Sequence, residues 1–245
     1  MGTIKNIYQF VFSEWWWTCL FFFAFFWSIY FVGVAVTNWL INKAVRQHKV
    51  NKIVEAIRPG QIGNEIKQSI LSIIVFSVQA IFLQILVKYK IAGANFTNAY
   101  NLFWQIPVLF FWNEIHFYIC HWVLHRKWLF KTVHYKHHIS KEPTVFSVFS
   151  FHWFEAFLLG TVIFFPMVIY PFHVLALLSL PIMSLILNLL GHCNHEAVNT
   201  KGDAANLSRF TFRHSMHHKW SNGNYGFMLP YFDKLFKTNL PKNKY

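Results

Sequence analysis

Charged residues are scarce in this sequence. Only 13% of its 245 residues are Asp, Glu, Lys or Arg, whereas roughly 25% are charged in typical soluble domains. Acidic residues are the rarest, nine against 22 Lys and Arg, which gives a formal net charge of +13. The basic residues alternate with long uncharged runs, whereas a nucleic-acid-binding protein would gather them on one soluble face. We therefore expect no nucleic-acid partner.

Cysteine pairs and glycine-rich motifs are also missing. The three cysteines, Cys19, Cys120 and Cys193, are odd in number and form no Cys-x-x-Cys pair. This pattern argues against both a disulfide framework and a thiolate metal site. The chain contains no glycine-rich nucleotide fingerprint and no tandem repeat. Its length predicts a single domain over residues 1–245.

Apolar and aromatic residues are abundant instead. They make up 55% and 20% of the chain, and 29 Phe with 11 Trp would overfill a soluble core of this size. Uncharged runs at about 15–42 and 68–87 are long enough to cross a bilayer, which takes about 20 apolar residues. A third span is predicted at about 91–120, where another uncharged run leads to Glu114 and the first histidines. Membrane lipids are therefore the expected surroundings.

A fourth uncharged run covers residues 156–191 and contains Pro166, Pro171 and Pro181. As a helix it would be about 54 Å long at 1.5 Å per residue. Two crossings of a core about 30 Å thick need slightly more. The run therefore predicts either a tight pair of spans or a re-entrant hairpin that turns near Pro171.

The basic residues set the expected orientation. Six cations lie between the first two spans, and such loops face the cytoplasm. The polar tail, residues 192–245, then returns to the same side. The predicted fold class is an all-α integral membrane protein with four to five transmembrane or re-entrant helices and a cytoplasmic, histidine-rich helical cap. An endoplasmic reticulum membrane and a bacterial inner membrane fit equally well.

Histidines carry the chemistry of the sequence. Residues three and four apart share one face of a helix, so histidines at these intervals can offer their nitrogens to one centre. Two groups have the pattern His-x-x-His-His. We expect a metal site built from ten of the fourteen histidines, namely His121, His125, His134, His137, His138, His192, His195, His214, His217 and His218.

Ten ligands are too many for one metal ion but suit two ions of five or six coordination. Imidazole binds zinc, copper, iron and nickel. The Glu-x-x-His set of soluble di-iron bundles is not found. Imidazoles alone, beneath a lipid-rich scaffold, favour iron that activates oxygen next to an apolar substrate.

The order and spacing of these histidine boxes resemble those of the membrane-bound fatty acid hydroxylase/sterol desaturase superfamily. The resemblance covers about residues 58–240. Two positions depart from the family pattern: Asn194-His195 replaces Gly-Tyr, and Trp122 replaces an Arg. The flanking segments that match are Glu114, Glu142-Pro143-Thr144, His152-Trp-Phe-Glu155, Gly191-His192-Cys193, Asn224-Tyr225-Gly226 and Phe232-Asp233 with Phe236 and Thr238.

The resemblance implies two Fe ions (Fe2+/Fe3+) held by the histidines, with O2 as co-substrate and a membrane lipid as substrate. Hydroxylation of an unactivated C–H bond is the expected reaction, and desaturation at the same site is the alternative. Electrons would come from a separate reductase or small electron-carrier protein. Glu155, Asp233, Glu142 and Glu196 are candidate acceptors for the outer imidazole N–H groups, or else ion-pair with the basic loops.

Two functions of other classes fit the sequence less well. A haem-carrying electron-transfer protein would need histidine pairs at matching depth on separate spans, whereas these histidines cluster at one end. A metal transporter would want carboxylates inside the membrane, and the spans carry almost none.

Overall fold

The computed structural model describes residues 2–54, 57–198, 200 and 206–241. The fold is all-α, as predicted, and its described part adds only one short β ribbon. The helices are α1 (Gly2–Val11), α2 (Trp15–Arg46), α3 (Gln61–Lys88), α4 (Leu102–Leu124), α5 (Lys127–Leu129), α6 (Tyr135–His138), α7 (Trp153–Gly160), α8 (Phe164–Ile169), α9 (Val174–His192), α10 (Phe210–Trp220) and α11 (Tyr231–Leu235). A π-helical segment, Phe130–His134, joins α5 to α6. Short 3-10 segments lie at Ala99–Asn101, Val145–Phe149, Thr161–Ile163 and Leu207–Arg209.

Three of the described helices, α2, α3 and α9, are long and apolar enough to cross a membrane. α2 and α3 cover the first two predicted runs and extend them, the first to Arg46 and the second back to Gln61. Both extensions lie on the side of the basic loop, where polar residues can reach water. These helices make the chain a membrane protein.

The third predicted run, 91–120, differs in the structure. Helix α4 begins only at Leu102, because Lys90 and Asn98 have left-handed backbone conformations, φ 58° and 60°, that end one helix and delay the next. It has 23 residues but is not one of the three described helices that are long and apolar enough to cross a membrane. Glu114 and Asn113 on this helix are buried against protein, which places its polar residues away from lipid.

The fourth run forms a hairpin. Its first leg, Trp153–Ile169, is about 25 Å long at 1.5 Å per residue, short of a membrane core about 30 Å thick. The chain turns at residues 170–173, around Pro171, and returns as α9. The hairpin therefore combines one short leg with one helix of spanning length.

The bundle has two distinct ends. β1 (Val50–Lys52) follows α2 and pairs antiparallel with β2 (His195–Ala197), which follows α9. The C-terminal ends of α2, α4 and α9 therefore lie at one end with the histidine boxes. The other end holds α1 and a bridge between Asn95 and His173.

Aromatic and aliphatic side chains fill the core between the helices. α2 packs on α3, and α4 packs on α9. Tyr30 of α2 stacks on Phe149 at 5.7 Å between ring centroids and donates a hydrogen bond to Phe146 O at 2.9 Å. This contact joins the first span to the segment between the second histidine box and the hairpin.

Candidate metal centre

Nine histidines converge in two adjacent groups. Within each group the potential ligand nitrogens lie within 4.8 Å of one another. The first group has five members, His121, His125, His134, His138 and His217. The second has four, His137, His192, His214 and His218. His137 and His138 are neighbours in the chain, as are His217 and His218, so each His-His step contributes one ring to each group.

Five helical segments bring these histidines together. α4 ends at the first box, with His121 in its last turn and His125 as its C-cap. The second box lies on the π segment and α6, and the last box lies on α10. His192 is the final residue of α9. Short π-helical segments often occur at functional sites, and here one ends on His134.

Most of the rings have their Nδ1 atom directed outward to a fixed partner. Nδ1 contacts Tyr225 O at 2.8 Å in His121, Ser150 O at 3.1 Å in His137, Gly223 O at 2.7 Å in His217 and Ser140 O at 3.0 Å in His218. A carbonyl oxygen only accepts, so Nδ1 carries the proton and Nε2 presents a lone pair. This is the arrangement by which proteins orient metal-binding histidines.

The Nε2 atoms face one another across the centre. They lie 3.2 Å apart in His121 and His125, 3.1 Å apart in His138 and His217, and 3.2 Å apart in His214 and His218. In each of these pairs, at least one ring donates its Nδ1 hydrogen to an outer carbonyl. The Nε2 atom of that ring is therefore unprotonated and presents a lone pair. Nε2 of His192 is buried with no hydrogen-bond partner in the described part of the chain. Lone pairs so close together fit a cation between them.

Burial keeps these imidazoles neutral. It lowers the pKa of His137 to about 3 and that of His217 to about 4. For His134, His138 and His218, burial and the neighbouring imidazoles lower the pKa well below its usual value. The neutral ring is the form that binds metal ions, so both groups are ready to bind at neutral pH.

The family model for fatty acid hydroxylases matches residues 106–238. This region is more than half of the chain and contains all nine grouped histidines. The chain belongs to the fatty acid hydroxylase family. Neither a curated protein nor a solved structure matches it.

Membership of the fatty acid hydroxylase family confirms the resemblance drawn from the boxes. The family comprises hydroxylases and desaturases, which are oxidoreductases, and its members act on lipids. The match begins within α4 and ends after α11. α1, α2 and α3 lie before it.

His195 lies outside both groups, unlike the other nine histidines expected as ligands. Helix α9 ends at His192, and Asn194 takes a left-handed conformation with φ 53° that turns the chain into β2. His195 Nδ1 contacts Cys193 O at 2.7 Å. The helical spacing of three between His192 and His195 therefore does not bring the two rings together.

The acids expected beside the imidazoles have different positions. Glu155, at the first turn of α7, lies 2.8 Å from His134 Nδ1 and is fully enclosed with it. Glu196 instead pairs with Arg209 at 2.8 Å. Glu142 contacts no imidazole; its backbone carbonyl accepts from Gln61, and its buried Oε2 has no partner in the described part of the chain. Only Glu155 of these three contacts a grouped histidine.

Asp233 acts on the site through a loop. Its carboxylate accepts from the backbone N–H groups of Tyr225 and Gly226, both at 2.8 Å. Glu114 accepts from the N–H of Leu229 at 2.8 Å, further along the same loop. The Gly223 and Tyr225 carbonyls of this loop bind His217 and His121. The two acids therefore fix the carbonyls that orient two imidazoles.

Glu65 is a further acid whose role the sequence reasoning missed. It is buried at the start of α3 and accepts from Ser140 Oγ at 2.7 Å and from Gln61 Nε2 at 2.8 Å. The Ser140 carbonyl in turn accepts from His218 Nδ1. The available signal was an acid at the very start of an apolar helix in a chain with only nine acids.

An apolar cavity of about 220 Å³ lies beside the histidine groups. It is larger than the roughly 150 Å³ cavity that holds a benzene molecule in a well-studied protein. Residues of α1, α2, α3, α4 and the hairpin line it. A small second cavity bordered by His121, His134 and His137 shares Phe117 and Phe151 with it. The histidines therefore adjoin a space suited to an apolar molecule.

Proposed function

We propose that the chain is a membrane-bound monooxygenase that hydroxylates an unactivated C–H bond of a lipid, using O2 and two iron ions held by the nine grouped histidines. The observation that carries the proposal is the convergence of Nε2 lone pairs beside an apolar cavity. Imidazoles alone suit iron among other transition metals, and the membership of the fatty acid hydroxylase family favours iron. Bound iron would supply the activation of O2.

The chain's own residues hold this centre in place. Glu155 orients His134, and the carbonyls of Ser140, Ser150, Gly223 and Tyr225 orient four more rings. Because most of the grouped histidines are buried, water has little access to the centre. The aromatic lining shared by the two cavities positions an apolar chain next to the imidazoles.

An electron donor outside the chain completes the proposal, because hydroxylation with O2 consumes two electrons besides those of the C–H bond. We propose a separate reductase or a small electron-carrier protein as that donor. The histidine end of the bundle is also the end of the basic loop between α2 and α3, so we place it on the cytoplasmic side by the positive-inside rule. An endoplasmic reticulum or bacterial inner membrane provides such a side.

Metal analysis and lipid mass spectrometry test the function. Purified wild-type protein is expected to hold two irons, and lipids of expressing cells are expected to gain one oxygen atom. His137→Ala, which removes one ring from the group of four, should lower the iron content and abolish the product, whereas His195→Ala, the control outside both groups, should keep both. A product that has lost two hydrogens would establish the desaturase instead. Protein that carries haem and no other metal would refute both.

A further inference from the structure

We propose that Asn113 and Gln79 form a polar subsite inside the apolar cavity, which binds a hydroxyl group that the lipid already carries before it reacts. The proposal rests on the proposed function, because it names the substrate of the same site. It assigns to that substrate a hydroxyl group remote from the carbon that is oxidised.

The cavity is apolar except for a few side chains. None of its lining residues is Asp, Glu, Lys or Arg. Gln79 and Asn113 are both buried, each with only 3% of its surface exposed. Asn113 Nδ2 and Gln79 Oε1 have no hydrogen-bond partner within the described residues. A buried polar atom without a partner costs roughly 1–3 kcal/mol, so a ligand group that bonds to either atom is favoured.

The orientation of Gln79 is fixed by its neighbours. Its Nε2 donates to Phe157 O at 2.9 Å, and since a carbonyl only accepts, Oε1 must be the free acceptor. Gly160 leaves the space for it, because a Cβ there would collide with Gln79 Oε1. Ser184 Oγ donates to Asn113 Oδ1 at 2.7 Å, which leaves Asn113 Nδ2 without a partner among the described residues. A hydroxyl group suits the pair because it donates to Gln79 and accepts from Asn113.

The two side chains border the same region of the hairpin. Gln79 lies against Gly160, and the α4 turn that carries Asn113 contacts the next two residues. Trp112 donates to Val162 O at 2.8 Å, and His116 Nε2 lies 2.9 Å from Thr161 Oγ1. These contacts place the subsite at the junction of α7 and the following 3-10 turn. Tyr8 also has an unpaired hydroxyl, but it packs on Phe12 and Phe96 at the α1 end of the cavity.

The subsite is well separated from the histidines. Asn113 lies eight positions before His121 on α4, or about 12 Å along the helix axis. Ser184 lies eight positions before His192 on α9, which gives the same distance of about 12 Å. A hydroxyl bound there cannot be the group being introduced at the metal centre. The substrate is therefore a lipid alcohol, and the product of hydroxylation is a diol.

Ligand retention tests the subsite without turnover. Full-length protein, as purified and without reductant, is incubated with equimolar 1-dodecanol and dodecane, and the retained ligands are measured by gas chromatography after detergent exchange. The ratio of 1-dodecanol to dodecane retained by empty micelles is the baseline. Two added hydrogen bonds should raise this ratio about tenfold in the presence of the protein. Asn113→Leu and Gln79→Met, which are close in shape, should each reduce the preference severalfold while dodecane is still retained.

Gln84→Met is the matched control, since Gln84 is buried on the same helix, does not line the cavity and already donates to Phe12 O. It should keep the wild-type preference. Equal retention of the two ligands by wild-type protein would overturn the subsite, even if a variant failed to fold. An unchanged preference in both Asn113→Leu and Gln79→Met would overturn it as well. Neither result depends on iron or on product formation, so failure of the subsite is distinct from failure of the proposed function.

Discussion

The contact between Glu155 and His134 gives the sharpest test of how the metal site is supported. Glu155→Gln keeps an oxygen that can accept from His134 Nδ1 but removes the negative charge, and Glu155→Ala removes the acceptor entirely. Loss of such a partner behind a metal-bound histidine costs about 10–100-fold in affinity. This corresponds to about 1.4–2.8 kcal/mol of binding free energy. We expect iron affinity to fall in the order wild type, Gln, Ala.

The assay is equilibrium dialysis of purified protein against graded Fe2+ under anaerobic conditions, with bound iron measured by mass spectrometry. Glu196→Gln is the matched control, because Glu196 was an equal candidate from sequence but pairs with Arg209 and contacts no imidazole. Its iron affinity should stay within about twofold of wild type, because this partly buried ion pair contacts no imidazole. The reasoning is refuted if Glu155→Ala binds iron as tightly as wild type, or if Glu196→Gln loses as much.

Three further predictions concern the ligand groups and their supports. His192→Ala removes one ring from the group of four, so iron content should fall from two per chain towards one, and no change would exclude His192 as a ligand. Gly226→Ala places a Cβ 2.7 Å from Asp233 Oδ2 and should lower iron affinity about tenfold, whereas Gly93→Ala, with open space around its Cα, should not. The pKa values of about 3 for His137 and about 4 for His217 in the folded protein lie below the usual 6.5. At a pH between the folded and the usual pKa, the unfolded chain therefore binds more protons than the folded protein. The melting temperature of metal-free protein should therefore fall as the pH drops from 7 towards 5, and a rise over that range would contradict the assignment.

The sequence predicted most of the candidate site because helical spacing governs most of the boxes. His134, His137 and His138 lie on one continuous stretch of helical backbone, as do His214, His217 and His218, so their spacing maps directly onto one face. The same rule failed for His195, because it assumed that α9 continued past His192. The turn at Asn194 depends on the pairing of β2 with β1, about 140 residues earlier in the chain, which local spacing does not reveal.

The acids show a second limit of sequence reasoning. From the sequence, Glu155 and Glu196 were equal candidates to accept from an imidazole or to pair with a basic residue. Their partners are decided by tertiary contacts, with His134 for one and Arg209 for the other. Glu65 and Glu114 lie in apolar helices, so the sequence indicates that burying their carboxylates is unfavourable. It does not reveal the donors that offset this cost, which are the Ser140 hydroxyl for Glu65 and loop N–H groups for Glu114. α1 was not predicted because its ten residues are shorter than a span.

Without a bound cation, the grouped histidines should oppose folding. Seven of the nine grouped histidines donate or share an Nδ1 hydrogen bond with an outer partner, which directs their Nε2 atoms into the same small volume. Nitrogen lone pairs about 3.1 Å apart repel, and the buried rings have lost their water without gaining donors at Nε2. The segments that carry the rings also depend on the closed hairpin, since only α9 delivers His192. Metal binding should therefore be coupled to closure of the hairpin onto α4 and α10. The free energy of metal binding should raise the free energy of unfolding of the histidine end of the bundle.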